Sequence, residues 1–401
     1  MKIPMWITAV AAAALFVVAG CGGGGSSSSA GGSGSGSVKP GSSAKPLGKL
    51  GPGEGKLDII AWAGYAEDGS TDPKVDWVTP FEKKTGCQVS VKVGNTSDEM
   101  VTLMRTGRYD GVSASGDATL RLIAGGDVAP VNTDLVPNYA DVYAGLKDKG
   151  FNSVDGQMYG IPHGRGANIL MWNAKKITTP LDSWSAVFDE ASKYKGKVTA
   201  YDSPIYIADA ALYLKATKPD LKITDPYELD QKQFDAAVAL LKAQRPNIGE
   251  YWADYTKEQQ AFANGNSEVG TTWQVIANLL DGDKVPVKTT LPKEGSTGWS
   301  DTWMIASKAK HPNCMYQWMD WIISPKVNAQ VAEWFGEAPS NAKSCAYTAA
   351  KDHCKVFHAA DESYFDRVSF WTTPRKDCGD ARGTACKDYS DWVQAWTDIK
   401  G

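Results

Sequence analysis

From residue 57 onward, short apolar runs alternate with stretches of helical periodicity, and few folds accommodate this alternation. The run "LDIIAW" at 57–62 is typical of a buried strand, and "WVTPFEKKTGCQVSVKV" predicts a helix, a glycine stop and an alternating strand. The segments "YDGVSAS", "VAPVN" and "YGIPHGRGANILMWN" continue as strands, with "DEMVTLMRTG" as a helix. Strands that alternate with helices predict an α/β lobe with a largely parallel sheet.

The second half of the chain contains apolar stripes at helical spacing. Asp230 suits the N-cap of a helix in which Phe234, Val238 and Leu241 recur before Pro246. These stripes predict buried helix faces, with a cofactor box as the alternative. Further stripes are Met315, Trp318, Met319 and Ile322, then Val327, Val331 and Trp334 before Gly336. About 345 residues follow residue 56, which is more than one core usually serves, so two lobes are expected.

The N-terminus predicts where the protein resides. Residues 1–21, "MKIPMWITAVAAAALFVVAGC", combine one lysine, an apolar run and a terminal cysteine, as in a bacterial lipoprotein signal peptide. Cleavage before Cys21 would leave a diacylated membrane anchor, and an ordinary secretory signal with a chance cysteine is the alternative. Residues 22–56 are rich in glycine and serine and predict a disordered tether. The folded body is therefore expected outside the cytoplasm, lipid-anchored to the cell membrane.

Six cysteines besides Cys21 form an even set, which in an oxidising compartment predicts disulfides. Six cysteines permit fifteen pairings, of which we predict local closure in the tail and a bond between the remaining two. The predicted pairs are Cys345 with Cys354, Cys378 with Cys386, and Cys87 with Cys314. A metal site using His353, Cys354 and His358 is the alternative, although no ligand spacing matches a zinc module. We expect no metal.

The composition restricts the class of ligand. A formal net charge of −4 without a basic stripe argues against a nucleic-acid partner. The 15 Trp and 16 Tyr residues exceed what a core requires, although many of these rings will be packing. In "TGWSDTWMIA" at 297–306, a strand would place Trp299, Asp301 and Trp303 on one face, which is either core or binding site. For Trp303 we predict core, because "WMIA" continues into an apolar strand.

The order of several segments resembles one family. Along the chain these segments are "LDIIAWAGY", "FEKKTGCQVSV", "YDGVSAS", "YGIPHGRGANILMWN", "VGTTWQV", "TGWSDTWMIA" and "MDWIISPKVNAQVAEWFGEAPSN". The set resembles the bacterial substrate-binding proteins of polyamine-type ABC transporters over residues 57 to 345, with a divergent tail beyond. This resemblance implies an α/β, two-lobe periplasmic-binding-protein fold (type II) with hinge strands between the lobes. The lobes would close on a small ligand in the cleft at their interface, and the permease would then receive it.

The resemblance also implies lobe limits and site residues. The first lobe would comprise 57–165 and about 299–340, and the second about 166–298 and 341–401, including the disulfide-bearing tail. In the polyamine-binding branch, the positions lining the cleft match Trp62, Tyr65, Ser115, Trp273, Trp299 and Asp301. Indole faces attract an ammonium group, and a buried carboxylate accepts a charge-assisted hydrogen bond. The tryptophans are therefore expected to shape the site and Asp301 to supply its charge.

The sequence departs from the polyamine-binding pattern in its acidic groups. Where those proteins carry two carboxylates after a second-lobe strand, this chain has Ser203 and Tyr206, with Asp202 adjacent. Where they carry aromatic residues, it has Asp117 in "ASGDATL" and Glu337 in "FGEAPSN". All five are candidate ligand contacts. The cleft is expected to keep a net negative character.

Arg165 in "IPHGRGAN" stands where the family usually has an aromatic residue. In the cleft it would repel a polyamine unless it paired with Asp117, Glu337 or Asp202, and unpaired it would suit a carboxylate on the ligand. A structural ion pair is the alternative to a ligand contact. The neighbouring His163 is also a candidate contact, and a hydrogen-bonded structural histidine is its alternative.

The leading hypothesis is a lipid-anchored receptor for a small amine, putrescine or spermidine first, serving the transmembrane subunits of an ABC permease. The same fold binding a zwitterion, such as a γ-amino acid or a betaine, is a variant that Arg165 favours. A secreted enzyme acting on sugars is a rival, with Asp117, Asp301 and Glu337 as acid and base. No nucleophile elbow, metal-ligand pair or cofactor loop supports that rival, and an interaction protein is the third hypothesis. We expect a monomer without cofactor or catalysis.

Overall fold

The structure, a computed structural model, describes residues 39–401. The predicted signal peptide, the lipidation site Cys21 and residues 22–38 of the predicted tether lie outside the described residues. Within 39–401 the strands are β1 (Lys56–Ala61), β2 (Gln88–Val93), β3 (Gly111–Ala114), β4 (Val128–Ala129), β5 (Ser153–Val154), β6 (Gln157–Met158), β7 (Gly160–Pro162), β8 (Gly164–Ala167), β9 (Ile169–Asn173), β10 (Val198–Tyr201), β11 (Ile248–Trp252), β12 (Val269–Thr272), β13 (Val287–Thr290), β14 (Ser296–Trp299), β15 (Thr302–Ala306), β16 (Ala338–Pro339) and β17 (Val368–Phe370). The α-helices are α1 (Val78–Thr85), α2 (Ser97–Arg105), α3 (Gly116–Gly125), α4 (Ile207–Thr217), α5 (Gln231–Gln244), α6 (Tyr255–Ala263), α7 (Gln274–Gly282), α8 (Pro312–Ile322), α9 (Pro325–Phe335), α10 (His353–Val356), α11 (Glu362–Phe365) and α12 (Tyr389–Lys400).

The first sheet has the strand order β2-β1-β3-β15-β4, and β7 pairs with β15. Strands β2, β1 and β3 are parallel, whereas β15 runs antiparallel to β3, β4 and β7. The sheet is thus mixed rather than largely parallel, because the chain returns to it late through β15. Its core includes Phe81, Trp303 and Met304. We call this sheet, with α1, α2, α3 and α8 packed on it, the first lobe.

The second sheet has the order β11-β10-β12-β9-β13. Strand β10 is parallel to β11 and β12, and β9 is antiparallel to β12 and β13. Its core includes Leu170, Trp184, Trp252 and Phe262. We call this sheet, with helices α4 to α7, the second lobe.

Two chain segments connect the sheets. One leaves the first sheet at β7 and passes through β8 to β9, and the other returns through β14 to β15. Strands β8 and β14 pair antiparallel, and with β16 and β17 they form a four-stranded crossing sheet in the order β16-β8-β14-β17. The crossing sheet supplies the hinge strands that the family resemblance implies. The lobe limits predicted near residues 165 and 299 fall in β8 and β14, and they stay predictions.

The stretch 297–306 is not one continuous strand. Strand β14 ends at Trp299 and β15 begins at Thr302, so the chain changes sheet between them. A face shared by Trp299 and Trp303 was therefore the wrong expectation. Trp303 is fully buried and packs edge-on against Trp318 at 5.5 Å in the first-lobe core, which confirms the prediction of core for this ring.

The apolar stripes form the predicted helices. Asp230 caps α5 in a capping box with Gln233, and α8 buries all four residues of its Met and Trp stripe. Helix α9 ends at Gly336, whose φ of 86° is in the left-handed region that glycine adopts without a Cβ clash. The period of 3.6 residues was therefore a sufficient guide to these three elements.

Three disulfides join the predicted pairs, Cys87–Cys314, Cys345–Cys354 and Cys378–Cys386. Cys354 is therefore not a thiolate ligand, as the alternative metal site required. The ring of His353 lies 2.8 Å from the carbonyl oxygen of Glu337, and His358 stacks on Tyr364. Both cysteines of the first pair are fully buried in the first lobe, so this bond ties an early segment of that lobe to a late one.

Residues 41–54 lie against the first lobe. The Gly41 N–H donates to the Ile123 carbonyl at 2.9 Å, and the Gly51 N–H donates to Asn313 Oδ1 at 2.6 Å. The Glu54 carboxylate accepts from the Asn313 backbone N–H at 2.9 Å. The predicted disordered tether is wrong for this part, because backbone groups find partners on the lobe although few side chains are buried.

Among residues 39–401, no helix has the length and apolar content that crossing a membrane requires.

The C-terminal segment contacts both lobes. Strand β17 pairs with β14, and α12 packs on α5 of the second lobe. The hydroxyl of Tyr389 donates to Asp98 on α2 at 3.1 Å, and the guanidinium of Arg121 on α3 lies 4.1 Å from the Tyr389 ring centre. The Thr373 hydroxyl donates to the Asp117 carbonyl at 2.6 Å. The tail therefore contacts both lobes as well as the crossing sheet.

Candidate functional site

Asp301 lies in the break between β14 and β15, where the chain enters the first lobe. Its carboxylate is buried; Ser115 Oγ donates to Oδ1 at 2.5 Å and the Tyr65 hydroxyl donates to Oδ2 at 2.7 Å. Ser115 is the N-cap residue of α3, and Tyr65 follows β1. Three segments that are far apart in sequence thus converge on one carboxylate. They carry three of the residues that the resemblance implies.

Glu337 is the second carboxyl group of this cluster. Its Oε2 lies 3.2 Å from the Tyr65 hydroxyl, which already donates to Asp301. One phenol carries one proton, so the second contact needs a proton on Glu337 that is donated to the Tyr65 oxygen. Burial and the nearby charge of Asp301 raise the pKa of Glu337 well above its usual range. The cluster therefore holds one charged carboxylate and one protonated acid at neutral pH.

Burial sets the protonation of the other acids facing this region. It raises the pKa of Asp301 to about 6, although the hydrogen bonds from Ser115 and Tyr65 lower it. Burial also raises the pKa of Asp117 to about 6, against the lowering effects of Arg121 and a hydrogen bond from Ser97. Ser97 Oγ donates to Asp117 Oδ1 at 2.9 Å. Both aspartates are predominantly charged at neutral pH.

His163 packs within the cluster without a charge. Its ring centre lies 4.1 Å from that of Tyr65, and its Nδ1 lies 3.2 Å from Glu337 Oε1 at an angle that makes no hydrogen bond. Burial lowers the pKa of His163 to about 3, so the ring is neutral at physiological pH. A neutral, buried ring packed on Tyr65 indicates a structural role for His163 rather than a change of charge at physiological pH.

Aromatic rings surround the carboxyl cluster. The Trp299 ring contacts Trp273 and Phe335 edge-on, at centroid distances of 6.1 and 5.8 Å. Phe335 also meets the edge of Tyr65 at 4.4 Å, so the ring chain reaches the carboxyl cluster. The indole N–H groups of Trp62 and Trp299 are buried and have no acceptor among the described residues. Two of the tryptophans predicted to line the cleft thus have unpaired donors, whereas the N–H of Trp273 donates to Asn168 Oδ1 at 2.9 Å.

Two glycines of β8 allow the side chains of Glu337 and Trp299 to approach the backbone. A Cβ at Gly166 would lie 2.5 Å from the Trp299 ring, and one at Gly164 would lie 2.2 Å from the Glu337 carboxyl carbon. Side chains alternate along a strand, so Arg165 between them points to the opposite face. The sequence "GRG" thus places Glu337 and Trp299 on one side of β8 and the guanidinium on the other.

Arg165 makes an ion pair with a residue that the sequence analysis missed. Its Nη2 lies 2.7 Å from Glu362 Oε1 and 3.0 Å from the Ala359 carbonyl oxygen, and the guanidinium lies 3.7 Å from the ring centre of Phe365. The pairing with Asp117, Glu337 or Asp202 that the sequence suggested is not the one observed. No signal in the resemblance pointed to Glu362, because it lies in the divergent tail.

Three candidate ligand contacts follow β10, namely Asp202, Ser203 and Tyr206. They form hydrogen bonds with the second lobe and the C-terminal helix. Asp202 accepts from Lys400 Nζ at 2.6 Å and from the Trp396 indole N–H at 3.1 Å. The buried Tyr206 hydroxyl accepts from Gln244 Nε2 at 3.1 Å. Ser203 caps the short helical turn that follows it. The hydrogen bonds of these three residues go to the second lobe and the C-terminal helix, and their role as ligand contacts stays a prediction.

Sequence reasoning missed two rings that lie beside the candidate residues. Tyr201, at the end of β10, lies 5.6 Å from Trp273 and stacks on Trp371 at 5.4 Å with an angle of 17°. The Trp371 carbonyl oxygen lies so close to Gly116 that a Cβ there would be 1.9 Å away. Position at the carboxyl end of a parallel strand was a signal for Tyr201. Trp371 carried no signal, because it lies beyond the resemblance.

The buried acids predict how the stability of the unliganded chain depends on pH. An acid whose pKa is raised by folding binds more protons in the native state between its unfolded and folded pKa, so its contribution to stability falls as pH rises. Among the described residues seven acids have a raised pKa, including the partly exposed Asp127 and Glu228, and five of the seven are buried. The buried five are Asp117 and Asp301, each with a pKa of about 6, Asp209 with about 7, and Glu258 and Glu337 with larger increases. The lowered pKa values of His163 and His353 oppose this below about pH 6.5, but the acids outnumber them.

We therefore expect the melting temperature of the ligand-free protein to fall from about pH 5 to about pH 7, because each pKa unit is worth about 1.4 kcal/mol. Scanning calorimetry of the full chain measures it. Asp209→Asn is the matched variant, since it removes one titrating acid and should flatten the slope. A melting temperature that rises over this interval would contradict the assignment of buried, protonated acids.

Comparison with known proteins adds four findings. Residues 76–356 match the family model for bacterial extracellular solute-binding proteins. A putrescine/cadaverine-binding protein of Pseudomonas aeruginosa is 26% identical over 311 residues, covering 73% of this chain and 81% of the relative. A solved protein of Listeria monocytogenes, assigned as a spermidine/putrescine ABC transporter, has a TM-score of 0.71 at 20% identity and covers 86% of this chain and 99% of that one. The structure of a GABA receptor has a TM-score of 0.64 at 18% identity, with 86% and 98% covered.

Proposed function

Because the chain belongs to the bacterial extracellular solute-binding protein family, we propose that it is the receptor of an ABC importer for a short diamine, with putrescine as the first candidate. Putrescine is also part of the name of the Pseudomonas aeruginosa relative. The receptor binds its ligand between the two lobes and delivers it to the permease without chemical change. Both lobes must contact the ligand, because only differential contacts with the closed state can shift the equilibrium toward closure.

The observation that carries the proposal is the buried carboxylate of Asp301. Ser115 and Tyr65 each donate to one of its oxygens, which leaves about two of the four lone-pair sites for a ligand. A protonated primary amine has three N–H donors and suits those sites. The surrounding indoles of Trp299 and Trp273 add cation–π attraction of about 0.5–2 kcal/mol per contact.

The charge distribution favours a short ligand over a long polyamine. In this proposal Asp301 and Asp117 are the charged aspartates that face the ligand, and the electrostatic effects of both Arg121 and Asp301 reach Asp117. Asp202, at the end of the second-lobe strand, is already neutralised by Lys400. A ligand with two ammonium groups therefore matches the two available charges, while a third ammonium group would have no equivalent partner.

The remaining features of the predicted receptor belong to the same proposal. Cys21 is the lipid anchor, the tether holds the body near the membrane, and the protein works outside the cytoplasm as a monomer. The three disulfides support an oxidising compartment. The division into lobes at residues near 165 and 299 is supported by the crossing sheet.

A zwitterion such as γ-aminobutyrate is the second candidate. Arg165, which favoured it in the sequence, is paired with Glu362 and stacked on Phe365. Six indole N–H groups are buried without an acceptor among the described residues. The observation that still favours a zwitterion is that two of the six, those of Trp62 and Trp299, belong to predicted cleft positions, where they suit a ligand carboxylate. The fold similarity to a GABA receptor agrees with this candidate but does not distinguish it.

Calorimetric titration of the purified full chain with putrescine, spermidine, γ-aminobutyrate and glycine betaine tests the proposal. We expect putrescine to bind at least about tenfold more tightly than the zwitterions, because a carboxylate on the ligand would face Asp301 without a cationic partner. Tighter binding of γ-aminobutyrate would replace the diamine by the second candidate. If none of the four compounds gives a binding heat, both the amine and the zwitterion hypotheses are overturned. Chemical conversion of a compound during the titration would overturn the receptor role.

A further inference from the structure

The indole of Trp273 is held by a hydrogen bond from outside its own helix. Trp273 precedes α7 with an extended backbone, and its Nε1–H donates to Asn168 Oδ1 at 2.9 Å. The ring contacts Trp299, Trp252 and Tyr201 at its edges or at a tilt. An indole N–H donates and never accepts, so the oxygen of the Asn168 amide must face Trp273.

Asn168 lies between β8 and β9, on the first segment that crosses between the lobes. It is 2% exposed, and its Nδ2 donates to Thr297 Oγ1 at 2.6 Å. Its backbone N–H donates to the Thr297 carbonyl at 2.9 Å, and its carbonyl accepts from Ser296 Oγ. Ser296 and Thr297 belong to β14, the second crossing segment. Side chain and backbone of Asn168 therefore bind both crossing segments together.

The chain of donors ends on a buried carboxyl group. Thr297 Oγ1 accepts from Asn168 and donates to Asp209 Oδ1 at 3.0 Å, in the first turn of α4. Every proton in this chain points the same way, from Trp273 through Asn168 and Thr297 to Asp209. A single orientation of the Asn168 amide satisfies all of these contacts.

We propose that Asn168 is a positioning residue that holds Trp273 at one angle to the ligand and makes that angle depend on the two crossing segments, with Thr297 and Asp209 completing the relay. The inference rests on the proposed function, because Trp273 touches the ligand only in the diamine receptor. Lobe opening changes the path of the crossing segments at Asn168, so the indole loses its acceptor or turns with it. Trp273, which shapes the ligand site, thus also changes its position when the hinge between the lobes opens or closes.

Two variants break the relay and two keep it. Asn168→Leu removes the acceptor at similar volume, and Thr297→Val removes the hydroxyl that orients the amide. Thr297→Ser keeps that hydroxyl and is the conservative rescue. Thr290→Val on β13 is the matched control, since the Thr290 hydroxyl lies 3.4 Å from the adjacent Leu291 carbonyl and away from the relay.

The experiment records the Trp273 indole N–H resonance of the ligand-free full chain by NMR, assigned with Trp273→Phe, and the putrescine affinity by calorimetry. We expect Asn168→Leu and Thr297→Val to shift that resonance and weaken putrescine binding about tenfold, the value of one lost hydrogen bond. The putrescine affinities of Thr297→Ser and Thr290→Val should stay within about twofold of the affinity of the unsubstituted chain. If Asn168→Leu fails to fold, the resonance and the affinity of Thr297→Val test the proposal by themselves.

The possible failures can be told apart. An unchanged Trp273 resonance in Thr297→Val would overturn the relay whatever the ligand is. A shifted resonance with unchanged putrescine affinity would overturn the positioning role. Absence of putrescine binding to the unsubstituted chain would overturn the proposed function, and with it the ligand role of Trp273.

Discussion

Asp301→Asn is expected to weaken putrescine binding at least about a hundredfold, since removing one partner of a buried charge pair costs about 2–5 kcal/mol. Asparagine keeps the shape of the side chain but removes the charge. Its amide NH₂ would also face either Ser115 or Tyr65, both of which now donate to the carboxylate. Calorimetric titration of the full chain measures the loss directly.

The same substitution should stabilise the ligand-free protein. The raised pKa of Asp301 means that folding disfavours its charge, so a neutral amide relieves that cost at neutral pH. Asp220→Asn on the exposed surface is the matched control and should alter neither binding nor melting temperature. Putrescine affinity within about threefold of the unsubstituted chain would remove Asp301 from the ligand site.

Replacing Cys87 and Cys314 together by alanine is expected to have the largest effect on stability. Their sequence separation of 227 gives about 5 kcal/mol of lost stability in the chain-entropy model. Both thiols are buried, and the bond joins the segment before β2 to helix α8. Denaturant unfolding of the oxidised full chain and of the double variant measures the difference.

The double replacement of Cys378 and Cys386 is the matched control. Its sequence separation of 8 gives about 2.5 kcal/mol in the same model, so the tail variant should retain more stability. Equal losses in the two variants would show that loop length does not govern the effect. A greater loss in the tail variant would assign the main cross-link to the C-terminal segment.

Much of the fold followed from residue patterns because the deciding interactions were local. The stripe of α8, the capping residue Asp230 and the glycine stop at Gly336 each act within one or two turns of helix. The disulfide pairing followed from proximity in sequence, which left one long-range pair by elimination. The cluster of Ser115 and Asp301 followed from resemblance alone, because no local pattern joins two positions that are 186 residues apart.

The parts that failed depend on partners distant in sequence. Residues 41–54 look unfoldable by composition, yet backbone hydrogen bonds to the first lobe hold them. The position of Arg165 on β8 sends its side chain away from Glu337, and only the three-dimensional path of the tail brings Glu362 to it. The strand break at Asp301 marks a change of sheet, which residue periodicity does not encode.

The place of β15 determines the order in which the two lobes can be completed. Strands β9 to β13 of the second sheet come from one continuous stretch of chain, residues 169–290. The first sheet begins at residue 56, but β3 and β4 are not neighbours until residues 302–306 fill the position between them. A nascent or shortened chain that ends before β15 therefore has all the strands of its second sheet and presents two unpaired edges in its first, which invites misassembly. The half of the protein that is synthesised first is the half that is finished last.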